Sequence, residues 1–399
     1  MQLFPIVIAL VGMVEAELEL VQILFRHADR APSGNYPNDP YDESAWSRGY
    51  SQLTARGHEQ AKELGHYLAG RYGHFVGNYN RKKVHIRSSD KDRCIETAMG
   101  VNSGLFPDQI VPVHTFSSHK EDLLLKPNSV KCLRADEIVG KDKKRLYKRE
   151  NRKNREFFEF VSNHAGLEVS MKNIADIYNA VFRESENGLP QPAWVYANVL
   201  PDNMTVFEKI IELKTLDRME SYNSDEKSKL RTGYLLGQIV ANINAKIADP
   251  KSNTKKMFLF SSHDATLTSL LYSLKVSNHQ IPPYASAIIF ELHKIDGRHF
   301  VQLLYRNSTS LPPLTLQPPG CKESVCSIDD FLQFTSTRIL PAKEDFLQTC
   351  SSSTPSAPLL ILEGSLILAY SEIVYSIMIP VFISIAYYFV SYKGKNAVF

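Results

Sequence analysis

Short apolar runs along the chain alternate with longer stretches in which apolar positions recur at helical spacing. The apolar runs predict three buried strands, over residues 18–25, 83–87 and 256–260. Helices are predicted after them, over about 54–71, from the capping residues 88–90 to about 99, and across Leu267 to Leu274. Strands that alternate with helices are typical of an α/β fold, so we expect a doubly wound, mostly parallel sheet.

The middle of the chain has a different pattern. Residues 115–230 are mostly polar with helical spacing and few strand signals, which predicts an inserted helical subdomain. A further helix is predicted over 231–248. Residues 288–292 and 300–305 predict a hairpin around Asp296-Gly297, because this dipeptide favours a tight turn.

The first residues have the pattern of a secretory signal. Residues 3–14 are nearly all apolar, and Val14-Glu-Ala16 offers a small-residue cleavage site, although no Lys or Arg precedes the apolar run. We therefore expect residues 1–16 to be a signal peptide and the mature protein to begin at residue 17.

Residues 373–390 are an uncharged apolar run, long enough to cross a bilayer, and positive charges follow it on the predicted cytoplasmic side. The alternative is a lipid-anchor signal, because residues 351–357 are rich in small side chains; such a signal ends in its apolar tail, whereas a charged segment follows here. The resulting prediction is a single-pass type I membrane protein with ectodomain 17–350, linker 351–372, membrane helix 373–390 and cytoplasmic tail 391–399.

Composition narrows the function. The chain has 399 residues, 43% of them hydrophobic, which is enough for one large core or two smaller ones. Its formal net charge of +3 is too small to indicate a nucleic-acid partner. The basic run 141–155 is mixed with acidic residues and lacks interleaved aromatic residues, so a solvated helix face is favoured there.

The five cysteines fit an oxidising compartment. Cys321 and Cys326 lie close together in a Pro-Gly-rich loop and have the spacing to close a small ring, whereas joining Cys132 to Cys350 would constrain a long loop. Cys94, within a helical pattern, is expected to be a buried free thiol. The spacing argues against a zinc site, because no paired C-x-x-C occurs.

Two sequons, at Asn203 and Asn307, predict N-glycosylation on an exposed lumenal surface.

The residues directly after the first predicted strand carry the most informative chemistry. Arg26 and Arg30 flank His27, and a guanidinium fork matches phosphate oxygens. The pattern suggests a phosphate held in place while an imidazole attacks its phosphorus. Taken alone, it is equally compatible with a solvated face, where R-x-x-x-R is common.

Polar residues also follow the other two strands. Arg87 ends the second, and His263-Asp264 follows the third. Because ligands of an open α/β sheet bind at the carboxyl ends of its strands, we expect these segments to converge with His27. By itself, His263-Asp264 would more readily be explained as a helix N-cap with a surface histidine.

Convergence assigns roles to these side chains. Nearby cations keep an imidazole neutral, so His27 is the expected nucleophile of a phosphohistidine intermediate. Asp264 is the expected proton donor to the leaving group, which favours activity below neutral pH. The phosphate-binding side chains are predicted to be Arg26, Arg30, Arg87 and His263. No metal or other cofactor is required, because the arginines supply the positive charge.

At this point the sequence resembles a known family, the histidine acid phosphatases, and most closely their prostatic and lysosomal group. The family signature R-H-G-x-R-x-P matches Arg26 to Pro32 except at Ala28. Further matching segments, in order, are YPNDPYDESAW (36–46), QLTARG (52–57), RSSDKDR (87–93), SHDAT (262–266), PPYAS (282–286) and PGCKESVC (319–326). The resemblance covers nearly the whole ectodomain and is weakest across the helical insertion.

The resemblance implies the same roles as the chemistry, with His27 as nucleophile and Asp264 as proton donor. It also implies disulfides Cys132–Cys350 and Cys321–Cys326 and a homodimer. A third family disulfide is expected to be absent, because Ala287 stands where one partner would fall.

Three questions stay open at this stage. Ala28 would cost activity if its position requires a left-handed backbone or a close approach to the phosphate. The anchor resembles the lysosomal type, but the tail lacks a tyrosine sorting motif. The lysosome and the cell surface therefore both remain as alternative locations of the protein. The main functional hypothesis is a phosphatase that acts on small or exposed phosphate esters, including phosphoproteins. One alternative is an inactive membrane protein that binds phosphorylated ligands, and the other is an inositol polyphosphate phosphatase.

Overall fold

A computed structural model describes residues 16–117, 122–198 and 203–351. Apart from Ala16 and Ser351, the predicted signal peptide, linker, membrane helix and cytoplasmic tail lie outside these residues. Within the three described ranges, no helix combines the length and the apolar character needed to cross a membrane.

The centre of the protein is one mixed β-sheet. Its strands are β1 (Ala16–Arg26), β2 (Val84–Ser88), β3 (Met257–Ser262), β4 (Ala287–Ile295), β5 (Arg298–Arg306), β6 (Leu314–Leu316) and β7 (Val325–Ser327). Their order is β2-β3-β1-β4-β5-β6, with β7 also paired to β5. Strands β2, β3 and β1 are parallel, and the pairs from β1 outward to β6 are antiparallel.

Helices cover both faces of the sheet. They are α1 (Ala55–Val76), α2 (Asp92–Leu105), α3 (Leu133–Lys153), α4 (Arg155–Ala165), α5 (Ile174–Glu186), α6 (Val206–Glu220), α7 (Asp225–Ala248), α8 (Asp264–Ser273), α9 (Ile328–Ser336) and α10 (Lys343–Ser351). Side chains of β1 alternate between two cores: Leu24 packs on the side of α7 and α8, and Phe25 on the side of α1 and α2. The predicted α/β class is confirmed.

The predicted hairpin explains why the sheet becomes antiparallel. Asp296 and Gly297 join β4 to β5 with φ values of 48° and 77°. A two-residue turn with positive φ at both positions can connect only antiparallel neighbours. The parallel strands are therefore those joined by helical crossovers. They are β1, β2 and β3, the three strands that were predicted to end in the candidate site residues.

The polar middle of the chain is helical, as predicted. Helices α3 to α6 build a separate core around side chains such as Phe157, Val181 and Leu213. The prediction that this region forms a subdomain of its own, with bounds 115–230, stays a prediction. Disulfide Cys132–Cys350 joins the residue before α3 to α10.

The second predicted disulfide, Cys321–Cys326, is also present, and Cys94 is a buried free thiol.

Two predicted helix starts were wrong. Helix α2 begins at Asp92, after an N-cap at Lys91 that makes no side-chain capping bond. The expected caps act elsewhere, because Ser88 ends β2 and the Ser89 hydroxyl lies 2.9 Å from Nε2 of His263. Helix α7 begins at Asp225 rather than residue 231, because the Ser224 side chain accepts a hydrogen bond from the Lys227 amide.

Candidate active site

The carboxyl ends of β1 and β3 meet, as the sequence predicted. Arg26 pairs with Ser262 in the sheet, and the backbone amide of His27 donates to the Ser262 carbonyl at 2.9 Å. A cavity of about 230 Å³ opens at this point. Its lining includes Arg26, His27, Arg30, Arg93, Lys126, Arg183, Arg218, His263 and Asp264.

The His27 ring is fixed in one orientation. Its Nδ1 lies 2.9 Å from the carbonyl oxygen of Ala28, and a carbonyl only accepts, so Nδ1 carries the proton. The lone pair is therefore on Nε2. Burial, together with the charges of Arg26 and Arg93, lowers the pKa of His27 well below its usual range. The ring is therefore neutral even in mild acid, with its lone pair on Nε2.

Ala28 is accommodated without strain. It is not among the described residues with positive φ, and its methyl is buried in the core beside α1 and α2. Its amide donates to the Thr97 hydroxyl at 3.0 Å. The departure from the glycine of the family signature therefore needs no left-handed backbone here.

The loop after His27 is held by residues at the start of α1 and at the end of α5. The carboxylate of Asp29, which is fully buried, accepts from the Thr54 hydroxyl at 2.6 Å and from the Asn187 amide at 2.9 Å. Gly57 lies so near that a Cβ there would be 2.1 Å from the Asp29 carbonyl oxygen. Glycine at this position lets the helix approach the loop that follows His27.

Arg26 and Arg30 both line the cavity, as predicted. Arg26 donates from Nη1 to the Pro282 carbonyl at 2.6 Å, and its guanidinium lies 4.1 Å from the centre of the Tyr284 ring. Arg30 donates from Nη1 to the Ala31 carbonyl at 2.7 Å. Neither is ion-paired with a carboxylate of the described residues, so both retain charge for an anion.

His263 and Asp264 enter from the start of α8. Burial and Arg93 lower the pKa of His263 to about 3, so this ring is neutral and available for hydrogen bonds. Asp264 accepts from the Ala265 amide at 2.9 Å, and its other oxygen lies 3.1 Å from Nη2 of Arg218. Burial alone would raise the pKa of Asp264, but Arg218 and the other nearby cations hold it well below its usual range.

Arg87, predicted as a phosphate ligand, does not line the cavity. Its Nη2 lies 2.6 Å from the Asp122 carboxylate, and its guanidinium covers the Phe116 ring at 4.4 Å. Arg93 lies there instead, in the first turn of α2. The position of Arg87 at the end of the second predicted strand suggested this role, but its guanidinium contacts Asp122 and Phe116 rather than the cavity.

Four further cations of the cavity were missed by the sequence reasoning: Arg93, Lys126, Arg183 and Arg218. Arg93 is the last residue of segment 87–93, which matches the family, so comparison of this motif could have identified it. Arg183 and Arg218 lie in α5 and α6, where the resemblance is weakest and local sequence carries no sign of a shared site.

A second cavity of about 420 Å³ adjoins the first, with Arg26 in the lining of both. Aromatic side chains of Tyr178, Phe182 and Tyr284 line part of it. The space beside the cationic cavity is thus partly apolar and large enough for an organic group.

Comparison with known proteins finds matches over most of the chain. The sequence model of the histidine phosphatase superfamily (branch 2) matches residues 17–306. The chain is similar to lysosomal acid phosphatase of Bos taurus, at 32% identity over 349 residues, covering 84% of this chain and 80% of the relative. It is also similar to prostatic acid phosphatase of Rattus norvegicus, at 33% identity over 354 residues, covering 85% and 90%.

Solved structures show the same fold. The phytase of Hafnia alvei in complex with tartrate superposes with a TM-score of 0.66 at 16% identity, covering 82% of this chain and 98% of that one. The phytase of Citrobacter braakii gives a TM-score of 0.63 at 18% identity, with the same coverage.

Proposed function

The chain belongs to the histidine phosphatase superfamily (branch 2), and we propose that it hydrolyses phosphate monoesters through a phosphohistidine intermediate on His27. Its relatives over most of its length are acid phosphatases, and the chain is itself an acid phosphatase, a phosphoric monoester hydrolase. The assignment of roles to particular side chains is the proposal.

The observation that carries this assignment is the state of the His27 ring. Its Nδ1 is bound to the Ala28 carbonyl, its Nε2 lone pair is free, and cations surround it. Attack by Nε2 forms the N–P bond as the bond from phosphorus to the ester oxygen breaks. The cationic side chains stabilise the charge on the equatorial phosphate oxygens, with Arg26, Arg30, Arg93 and His263 as the proposed ligands.

Asp264 is the proposed proton donor to the departing alkoxide. In the second half of the reaction, water attacks phosphorus, the N–P bond breaks, and Asp264 takes up the proton that the water releases. His27 returns to its neutral form and inorganic phosphate leaves.

The ion pair with Arg218 holds Asp264 ionised while the cavity lacks a phosphate. A bound phosphate dianion offsets the surrounding positive charge and so raises the pKa of Asp264 in the complex. The carboxyl then holds its proton at mildly acidic pH. Because the reaction requires this proton, we expect hydrolysis to be faster at mildly acidic pH than at neutral pH. His27 stays neutral over the same pH range and so remains able to attack phosphorus.

The test uses the purified full chain and an aryl phosphate at about pH 5. Wild type should release the phenol, and a labelled substrate quenched in base should leave the label on His27. Phosphate binding without hydrolysis would instead support the inactive, ligand-binding alternative. Label on another residue would overturn the nucleophile assignment.

A lumenal or extracellular location is proposed for the ectodomain. Disulfides such as Cys132–Cys350 form in oxidising compartments, and the relatives include proteins named as lysosomal. The sequon residue Asn203 is exposed and Asn307 is partly exposed, which supports glycosylation of both. The anchor at 373–390 and the homodimer stay predictions. A glycosidase-sensitive mass together with carbonate-resistant membrane association would support the glycosylated, anchored form.

A further inference from the structure

The basic run 141–155 is a feature of the molecule that the proposed reaction does not use. It forms the last part of α3, Asn154 and the first residue of α4. Nine basic and two acidic residues give it a formal charge of +7, whereas the entire chain has +3. The rest of the chain is therefore net negative, and the positive charge is concentrated on this one segment.

The two acidic side chains of this segment neutralise little of its charge. Glu150 is buried, with 4% of its surface exposed, and is ion-paired with Arg149 at 2.7 Å. Asp142 lies 2.6 Å from Nζ of Lys227, a buried side chain of α7, and only 3.6 Å from Arg145. Most of the cations of the segment thus keep their charge.

The cations that remain share one face of α3. The exposed ones are Lys141, Lys144, Arg145, Lys148 and Arg152, which we call the cationic row. Their spacings of three and four residues place them along one side of the helix, over a length of about 16 Å. Lys144, Lys148 and Arg152 form no ion pair with a carboxylate of the described residues.

Helix stability explains only the end of the cationic row. Cations near a helix C-terminus are favoured by the helix dipole, an effect that is confined to the last turn. That accounts for Arg152, which lies in the last turn of α3. Lys144, Arg145 and Lys148 lie before that turn, and like charges three and four residues apart destabilise a helix. The cationic row therefore destabilises α3 slightly unless an anion lies against it.

The surroundings of the cationic row indicate the class of anion. A helix that binds a membrane surface combines cations with apolar side chains that enter the bilayer, and no exposed large apolar side chain of the described residues lies within 141–155. Proteins that bind single-stranded nucleic acid place aromatic side chains beside their cations, whereas the Tyr147 hydroxyl donates to Asp217 at 2.6 Å. A linear polyanion with charges along its length needs only the row of cations.

We propose that the cationic row binds a sulfated glycosaminoglycan. The sulfate groups of such a polysaccharide stay ionised from acid to neutral pH, and so do the side chains of Lys and Arg. No member of the cationic row lines the catalytic cavity, so a bound polysaccharide would hold the enzyme in place and leave the cavity open. The choice of this polyanion rests on the lumenal or extracellular location proposed above, and it uses none of the proposed catalytic roles.

The experiment measures binding of the purified full chain to immobilised heparin by surface plasmon resonance, with inorganic phosphate present to occupy the catalytic cavity. Wild type should bind with a Kd below about 10 μM in about 0.15 M NaCl. The triple variant Lys144→Gln, Arg145→Gln, Lys148→Gln should bind at least about tenfold more weakly, and its slope of log K against log salt should be smaller by about three. Glutamine is a good helix former, so α3 should persist.

A matched control removes three charges from other parts of the surface. Lys62, Lys82 and Lys251 are exposed, on α1, before β2 and after α7, so their replacement by Gln gives the same net charge. It should weaken heparin binding less than about threefold, because charges distant from the contact are screened by salt. Equal weakening in the two triple variants would overturn the proposal, since net charge would then be the cause. A wild type that does not bind heparin would overturn it as well.

Hydrolysis of an aryl phosphate, which should stay at the wild-type rate, shows that the variant is folded. Should the triple variant at the cationic row fail to fold, Lys148→Gln is compared with Lys62→Gln. The salt slope should then fall by about one in the first only, and equal slopes would contradict the proposal.

Vesicles that contain phosphatidylserine distinguish a polysaccharide from a lipid surface. A wild type that binds these vesicles through the cationic row, and does not bind heparin, would overturn the assignment to a glycosaminoglycan. The two proposals also fail separately. A chain that binds heparin and hydrolyses no ester contradicts only the proposed reaction, and a chain that hydrolyses esters and does not bind heparin contradicts only this inference.

Discussion

The carboxylate of Asp264 lies 3.1 Å from the guanidinium of Arg218, so the proposed proton donor is ion-paired inside the cavity. Arg218 comes from α6, in the helical part of the chain, whereas Asp264 begins α8 at the edge of the sheet. A charge on the helical region therefore lowers the proton affinity of a carboxylate at the edge of the sheet.

Replacing Arg218 should move the pH dependence of the reaction. In Arg218→Gln the pKa of Asp264 rises, so the acid form persists to higher pH, and the basic limb of the kcat profile should shift upward by about one pH unit. The control is Arg231→Gln, which breaks the ion pair with Asp136. If the basic limb stays at the same pH or moves to lower pH, Arg218 does not determine the pKa of the proton donor.

Loss of the nucleophile should abolish most of the activity. We expect His27→Ala to lower kcat by at least about 10³-fold, because His27 is the proposed acceptor of the phosphoryl group and the other imidazole of the described lining, His263, is a proposed phosphate ligand. His66→Ala, at an exposed position of α1, is the comparison. Turnover within tenfold of wild type in His27→Ala would refute covalent catalysis at this residue.

The exchange of Arg87 for Arg93 as a phosphate ligand has a direct test. Arg93→Gln should weaken competitive inhibition by inorganic phosphate about tenfold or more, because it removes a charge-assisted hydrogen bond. Arg87→Gln should change that constant less than about threefold while lowering the Tm, since it leaves Asp122 buried without its partner. The reverse ranking would restore Arg87 as the ligand.

A buried acid pair should make the protein more stable in acid. Asp39 Oδ2 and Glu184 Oε1 are both buried without a donor, and burial, followed by the nearby Asp39 charge, raises the pKa of Glu184 to about 7. The folded pKa lies above the unfolded value of 4.5, so stability is full below about pH 4.5 and is lost as the pH rises through about 7.

Glu184→Gln removes this titration and can donate to Asp39 in place of the acid proton. It should raise the Tm by about 2–4 °C at about pH 7.5 and leave it nearly unchanged at about pH 4.5. Glu156 is exposed on α4, so Glu156→Gln serves as the matched control, with Tm expected to stay unchanged at both pH values. An equal loss of Tm at both pH values would mean that the carboxyl is needed for its hydrogen bonds alone.

Two glycines of α1 should respond in opposite directions to alanine. Gly57→Ala places a Cβ 2.1 Å from the Asp29 carbonyl oxygen, so it should destabilise the fold by about 2 kcal/mol and lower kcat by moving the loop that follows His27. Gly70→Ala meets nothing within 4 Å and should stabilise α1 by about 0.5–1 kcal/mol. Denaturant unfolding measures both, and equal effects would contradict the close approach.

The sheet and its catalytic strand ends were predictable from sequence because their signals are local. Apolar runs precede Arg26 and His263, and the carboxyl ends of parallel strands share one edge, so His27, Arg26, Arg30, His263 and Asp264 could be placed together. The confirmed disulfide pairs came from resemblance, since spacing alone does not fix cysteine connectivity.

The remaining cations of the cavity depend on information that is not local. Arg87 lies near the end of β2 and Arg93 in the first turn of α2, and the position along the chain does not show which of the two side chains is directed into the cavity. Arg183 and Arg218 lie on polar helices, where an arginine directed inward has the same sequence context as one directed to solvent. Only the packing of α5 and α6 distinguishes them.

Cys132 and Cys350 enclose the whole stretch from α3 to α10 in one covalent ring. A protease that cuts a single exposed loop within this ring would yield two polypeptides that still migrate as one band until a reductant is added. Maturation by internal cleavage would thus go unnoticed on a non-reducing gel, and the nicked enzyme would keep its helical wall beside the sheet.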